Sequence, residues 1–180
     1  MRYTEKDRKF FLQPAEVVAP QLLGKLLCRR IDGEKILKIR ICEVEAYGDD
    51  DTANYGYGYG ENDNEKKKTK ANAPLFEQGG TCCIYGGMLL IVCGQKGKSD
   101  NVLIRGCADQ EHWHNGPLKV AGALKLDGAH GLHGTDLLTS DLLWLETDEA
   151  VNSFCRMERR GLGRGIKETD RKKRCRFITV

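Results

Sequence analysis

The sequence predicts a mixed α/β (α+β) fold in a single domain, residues 1–180, and three observations carry that expectation. A chain of 180 residues suits one domain with a sizeable core. Several apolar runs rich in β-branched residues are bounded by Gly- and Asp-containing turns, the pattern of hairpin strands. The segments with helical spacing are few and short.

Taken in order, Pro14 followed by apolar residues at 15, 18, 19, 22 and 23 fits a helix with one buried stripe, with Pro14 at its first position. Pro20 should interrupt that helix, and Gly24 should end it. Leu26 to Ile31 reads as a strand, Asp32-Gly33 as a hairpin turn, and 36–46 as the return strand. Residues 48–74 have almost no aliphatic content and form a long loop, with Tyr and Gly alternating from 55 to 60 and Lys at 66, 67, 68 and 70. Its rings could stack on bases, or the run could be low-complexity filler. Two short strands around a Gly-rich turn follow over 79–93, with Tyr85 at or near the tip. A strand at 101–105, a short helix opened by Pro117, a strand at 142–146 and a closing strand at 176–180 complete the list. Gly97-Lys98-Ser99 is no phosphate loop, because Val92 stands where its first glycine belongs.

The segment with most chemistry is Ile41-Cys42-Glu43-Val44-Glu45-Ala46-Tyr47. At period two, Glu43 and Glu45 share one strand face and Val44 and Ala46 the other, just before an Asp-rich turn. One carboxylate could act as general base beside an aromatic pocket wall. The same pattern also fits an amphipathic strand with solvated acids.

Composition sets the limits. No apolar run approaches a membrane span, and Met1 to Asp7 lacks a signal-peptide core, so the chain is expected inside the cell, nuclear in a eukaryote and otherwise cytoplasmic. The eight cysteines, mostly in apolar segments, read as reduced small hydrophobes. His112, His114, His130 and His133 have no partner pair at zinc-ligand spacing, so no metal is expected. The net charge is only +3, but the basic segment 156–180 carries ten Lys or Arg against three acids. That asymmetry points to a polyanion, nucleic acid first, or else to a merely solvated basic terminus.

In this order the signatures resemble the alkyladenine (3-methyladenine) DNA glycosylase family. The matching pieces are Phe10-Phe11, Pro14-Ala15, Leu22 to Leu27, Glu43 to Tyr47, Tyr85-Gly86, Val102 to Arg105, Gly116 to Lys119, Leu143 to Glu146 and Arg176-Phe177. The resemblance implies a curved, largely antiparallel sheet with a DNA-inserting hairpin. It implies a monomeric hydrolase that flips alkylated or damaged purines out of double-stranded DNA and cuts the N-glycosidic bond in base-excision repair, without cofactor or membrane. It implies Glu45 as the base that activates water, helped by Arg105 and the backbone carbonyl of Leu162. Tyr47 would stack on the flipped base, Tyr85 would be the wedge, and Arg160, Arg164 and Lys119 would meet phosphates.

The chain departs from the family at the base-reading wall. Tyr55, beside Asn54, stands for a pocket histidine, Val92 for an asparagine, and Ala71-Asn72 for an Arg-Asn pair. A shorter strand before Tyr85 leaves open whether that ring is wedge or stacking surface. A lesion sensor without activity, on the same fold, is the alternative from another class, and a metal-dependent module a third.

Overall fold

The computed structural model describes residues 1–57, 67–126, 131–148, 151 and 153–180. Helices α1 (Arg8–Phe11) and α2 (Ala15–Leu22) precede strands β1 (Leu26–Arg30), β2 (Ile36–Tyr47), β3 (Cys82–Tyr85), β4 (Met88–Val92), β5 (Asn101–Ala108) and β6 (Trp113–Asn115). Helix α3 (Pro117–Ala123), β7 (Leu143–Glu146), β8 (Phe154–Met157), α4 (Glu168–Arg171) and β9 (Arg176–Thr179) follow. All strands join one curved antiparallel sheet, in the order β3-β4-β5-β2-β1-β7, with β6 on β5 and β9 bridging β2 and β8.

Strand β2 is the spine. Its first half pairs with β1 (Leu26↔Arg40 to Arg30↔Ile36), its second half with β9 (Glu43↔Ile178 to Glu45↔Arg176), and β5 lines its other edge. The change of partner coincides with register irregularities between Ile41 and Val44. Such a bulge bends a strand and re-aims its side chains.

Both faces of the sheet are covered, so every residue from Ile41 to Tyr47 is buried, acids included. On one face Val44, Ala46, Val102, Ile104, Leu89 and Ile91 meet the apolar stripes of α2 and α3. On the other, Tyr47, Leu103, Leu90, Val92, Cys83, Leu75, Ala53 and Ile166 form a smaller core. Period two in β2, β4 and β5 sorts the side chains between the two. Glu43 and Glu45 therefore share the face of Tyr47, and neither is solvated.

The helix near Pro14 forms with the expected stripe, Ala15, Val18, Ala19 and Leu22, but Pro14 sits at the cap and the helix runs through Pro20 to Leu22. Pro20 lies so near the C-terminus that the hydrogen bond it cannot donate is one of the last. Arg30 pairs with Ile36, so the β1–β2 connection is a five-residue loop rather than a two-residue turn. The β3–β4 hairpin has the expected tip: Tyr85 pairs with Met88 across Gly86 and Gly87, both at positive φ (55° and 77°), as a type I′ turn requires.

The segment expected as a loop over 48–74 is not loose at its start. Asp51, Ala53 and Asn54 are buried, and Asn54 donates from Nδ2 to the carbonyls of Gly48 (2.8 Å) and Ser99 (2.9 Å) and accepts from Gly56 N–H (2.7 Å). Asn72 donates to the carbonyls of Tyr55 (3.1 Å) and Lys67 (2.9 Å), tying the two ends together. Residues 58–66, including half of the Tyr-Gly run, and His130 lie outside the described residues. Among the described residues no three His, Cys, Asp or Glu are placed to hold a metal, and no helix is long and apolar enough to cross a membrane.

All eight cysteines are free thiols, and only Cys155 is exposed. Burial pushes Cys28, Cys83, Cys107 and Cys175 up to about 12, which removes the reactive thiolate at neutral pH. A thiol-reactive disulfide reagent should therefore label one cysteine quickly in the native protein and the rest only in denaturant. Fast labelling of several thiols would contradict this packing.

Candidate active site

Glu45 lies on β2 opposite Leu103 of β5 and Arg176 of β9, and none of its surface is exposed. Its Oε1 accepts the backbone N–H of Arg160 at 2.8 Å and lies 3.5 Å from Arg105 Nε, while Oε2 accepts the Tyr47 hydroxyl at 2.8 Å. Burial raises its pKa above the ordinary carboxylate range, against the pull of the Arg160 N–H, Arg105 and Tyr47. Burial also holds the Tyr47 hydroxyl well above its usual range, so it stays protonated and keeps donating. The result is a carboxylate supported in its charged form, yet more basic than a surface glutamate.

Glu43 points into the same region. Its Oε1 accepts from Arg105 Nε at 3.1 Å and from Arg176 at 2.9 Å. Arg176 also donates through Nε to the carbonyl of Glu158 at 2.9 Å, which anchors the chain just before Arg160. Thus β2, β5, β9 and the 158–163 loop converge on two carboxylates and two guanidiniums.

Tyr47 is itself enclosed. The guanidinium of Arg159 stands 4.7 Å from its ring centroid, and the Tyr55 ring packs against it edge-on at 5.2 Å. Arg159 is wholly buried: it pairs with Asp51 at 2.8 Å and donates to the carbonyls of Ala46 (3.1 Å) and Asp170 (2.6 Å). Tyr85 continues the aromatic row, 5.6 Å from Tyr55, so its ring leans inward from the hairpin. The large apolar side chain that stands out beside the Gly86–Gly87 turn is Leu118 of α3, 63% exposed, with Cδ2 only 3.2 Å from where a Cβ on Gly87 would lie.

Beside Arg105 and Arg160, the two residues that meet Glu45 Oε1, opens a cleft of about 320 Å³. Tyr55, Met88, Leu103, Pro117, Leu162 and Ile166 give it apolar walls, and Arg105 and Arg160 supply its positive charge. This volume lies at the small end of the roughly 300–1,000 Å³ of ligand sites. A larger cleft, about 740 Å³, lies elsewhere, between the β1–β2 strands and the Asp109–Glu111 turn, and touches none of these groups.

Of the residues singled out from sequence, Arg105, Tyr55, Leu162 and Arg160 line the cleft, and Glu45 and Tyr47 lie behind that lining, the first against Arg160 and Arg105 and the second against Tyr55. Tyr85 adjoins it through Tyr55. Lys119 and Arg164 are exposed on α3 and on the loop after Leu162. Val92 is fully buried in the smaller core and forms no part of the cleft wall. Sequence reasoning gave no role to Arg159, Arg176 or Leu118, although the last two lie in segments that carry the resemblance. A basic tail read by charge alone hides which arginines turn inward, and Leu118 looked like any helical apolar residue.

Residues 9–179 match the family model described as methylpurine-DNA glycosylase. A protein of Chlorobium phaeovibrioides named "Putative 3-methyladenine DNA glycosylase" is 30% identical over 182 residues, covering 88% of this chain and 87% of that protein. A protein of the same name from Borreliella burgdorferi is 35% identical over 155 residues, covering 78% and 77%. Another, from Corynebacterium glutamicum, is 43% identical over 102 residues, 53% of this chain and 42% of that one.

The buried Arg159 gives this arrangement a direct stability test. Arg159→Met should cost about 3–5 kcal/mol in urea denaturation, because Asp51 stays buried with only Lys173, at 3.4 Å, as cation among the described residues. A loss below 1 kcal/mol would mean that the pair does not brace the Tyr47 platform.

Proposed function

The chain belongs to the methylpurine-DNA glycosylase family and is a DNA glycosylase of base-excision repair, and from that premise we propose how its residues do the work. The substrate is an alkylated purine in double-stranded DNA, the enzyme a monomer whose single domain spans the chain. With DNA as substrate it acts inside the cell, in the cytoplasm if its host is bacterial like the relatives above.

Extruding the nucleotide costs a few kcal/mol, least at a damaged pair. The exposed Gly86–Gly87 tip, with Tyr85 behind it, enters the duplex, and Lys119, Arg160 and Arg164 hold phosphates without reading sequence. The base enters the cleft between Tyr55 and the aliphatic side chains, with the rigid Tyr47 beneath. Alkylation has made it a good leaving group, so the C1′–N bond breaks as the sugar takes on oxocarbenium character. The bonding electrons leave with the base. Glu45 stabilises the sugar cation and takes a proton from the water that bonds to C1′. Arg105 and the Leu162 carbonyl position that water.

The observation that carries this reading is the environment of Glu45. It is fully buried beneath the cleft, basic because it is desolvated, and still kept ionisable by an N–H, a hydroxyl and a guanidinium. Such a perturbed carboxylate, held by two residues of a cleft wall, marks a functional site better than sequence spacing can.

In single-turnover assays on a duplex carrying one alkylated purine, the wild type should leave abasic sites. Glu45→Gln should leave none, while DNA affinity changes less than about threefold. Excision by the wild type should fall as pH drops through the Glu45 pKa, above the usual ~4.3. Because the fold raises this pKa, the charged form costs stability at neutral pH, and the cost disappears as pH falls below the unfolded value. Glu45→Gln should therefore melt no lower than wild type at pH 7. Product from Glu45→Gln would remove Glu45 from the mechanism, and a sharply lower melting point would undo the burial argument.

A further inference from the structure

Glu43 has no place in the chemistry above, yet the fold goes to some length to bury it. The irregular register of β2 falls at this residue. Gly106 stands opposite it, where an added Cβ would come within 2.9 Å of Glu43 Cβ and 3.3 Å of Oε2, so only glycine leaves the carboxylate its seat. Two guanidiniums, from β5 and β9, close on its Oε1. A buried ion pair is a weak source of stability, and apolar replacements commonly match it. A site built this closely asks for another reason.

That reason lies in the single Nε–H of Arg105, which stands between two carboxylates, 3.1 Å from Glu43 and 3.5 Å from Glu45. Building on the glycosylase reading, we propose that Glu43 is a positioning residue which, itself neutralised by Arg176, holds Arg105 on its own side and so keeps Glu45 a strong base. Four elements face Glu45: Glu43 and Tyr47 on β2, Arg105 on β5, Arg176 on β9 and the Arg160 N–H from the loop. Arg159 and Tyr55 lie one layer behind, on Tyr47. Of these groups Glu43 is the one whose negative charge works against ionisation of Glu45, directly and by competing for Arg105.

Arg176 adds a second link. It holds Glu43 with one nitrogen and the Glu158 carbonyl with another, two residues before the N–H that Glu45 accepts. The position of the loop that carries Leu162 is thereby tied to the same pair.

The test is the pH profile of single-turnover excision, read beside a carboxyl ¹³C titration of Glu45 in the DNA-free protein, assigned by its loss in Glu45→Gln. In Glu43→Gln, Arg105 is released to Glu45, so the acid limb and the titration midpoint should both move down by about half a unit or more, and the plateau rate should fall about three- to tenfold. Glu43→Asp, which keeps the charge, should return the midpoint toward wild type. Arg176→Gln has the opposite sign: unneutralised Glu43 takes Arg105 wholly, and the Glu45 midpoint should rise. Where Glu43→Gln is too unstable to titrate, the double variant Glu43→Gln/Arg176→Gln, which removes both charges of the pair, decides the matter: its midpoint should lie below that of Arg176→Gln, and equal midpoints would overturn the proposal. Midpoints equal to wild type in the charge-removing variants would overturn the proposal and leave a structural ion pair. A wild type that excises no base would sink the glycosylase reading, while the carboxyl titration would still decide for or against Glu43.

Discussion

One guanidinium, Arg105, stands against two carboxylates buried on the same strand face, hydrogen-bonded to Glu43 and 3.5 Å from Glu45, and much of the fold follows from making that tolerable. A carboxylate removed from water must find hydrogen bonds and countercharge or give up its own charge. Glu43 finds both in Arg105 and Arg176, which requires β9 to reach β2 just where β1 stops pairing with it. Glu45 finds its donors in Tyr47 and in the backbone of Arg160, which requires the segment after β8 to fold back over the sheet. The bulge in β2, the glycine at 106 and the late strand β9 are answers to one electrostatic demand.

The aromatic row is a second layer built on the first. Tyr47 fastens its hydroxyl to Glu45 while Arg159 covers its ring and Tyr55 abuts its edge, so the ring cannot turn without disturbing the carboxylate. Arg159 is in turn fixed by Asp51, at the head of the segment that leads to Tyr55. The wall that would meet a base and the carboxylate that would act on the sugar are thus one packed unit. Rigid support of this kind is what holds reacting groups within a fraction of an ångström of productive geometry.

The sequence made the strand that carries the site legible, because period two and β-branched residues are local signals, and the Gly86–Gly87 turn was legible for the same reason. That both acids would be buried was not, since burial of the outer face depends on the 158–163 loop and residues 51–55, distant in sequence from β2. The short strand β8, exposed throughout, has no apolar alternation to announce it. The arginines of the last segment posed a subtler problem. Arg159 and Arg176 contribute to the same positive tail as Arg160 and Arg164, yet the first two are core cations and the latter two are exposed. Net charge cannot make that distinction, and only the partners, Asp51 and Glu43, reveal it.

The cleft itself bears on selectivity. Its walls are mostly Tyr55, Met88, Leu103, Pro117, Leu162 and Ile166, and its charged lining residues are two arginines. Val92, which the resemblance puts in the place of a polar reader, is sealed in the core below. An apolar pocket separates related ligands by only about 1–3 kcal/mol, because no buried donor is left unpaired by the wrong one. On the proposed mechanism, discrimination between damaged and normal purines therefore falls chiefly on two earlier properties of the DNA. One is the lower cost of extruding a weakened pair, and the other is the greater ease with which an alkylated base departs. A basic, well-held carboxylate suits that division of labour: it would act on the sugar, which all nucleotides share, and leave the choice of nucleotide to the chemistry of the lesion.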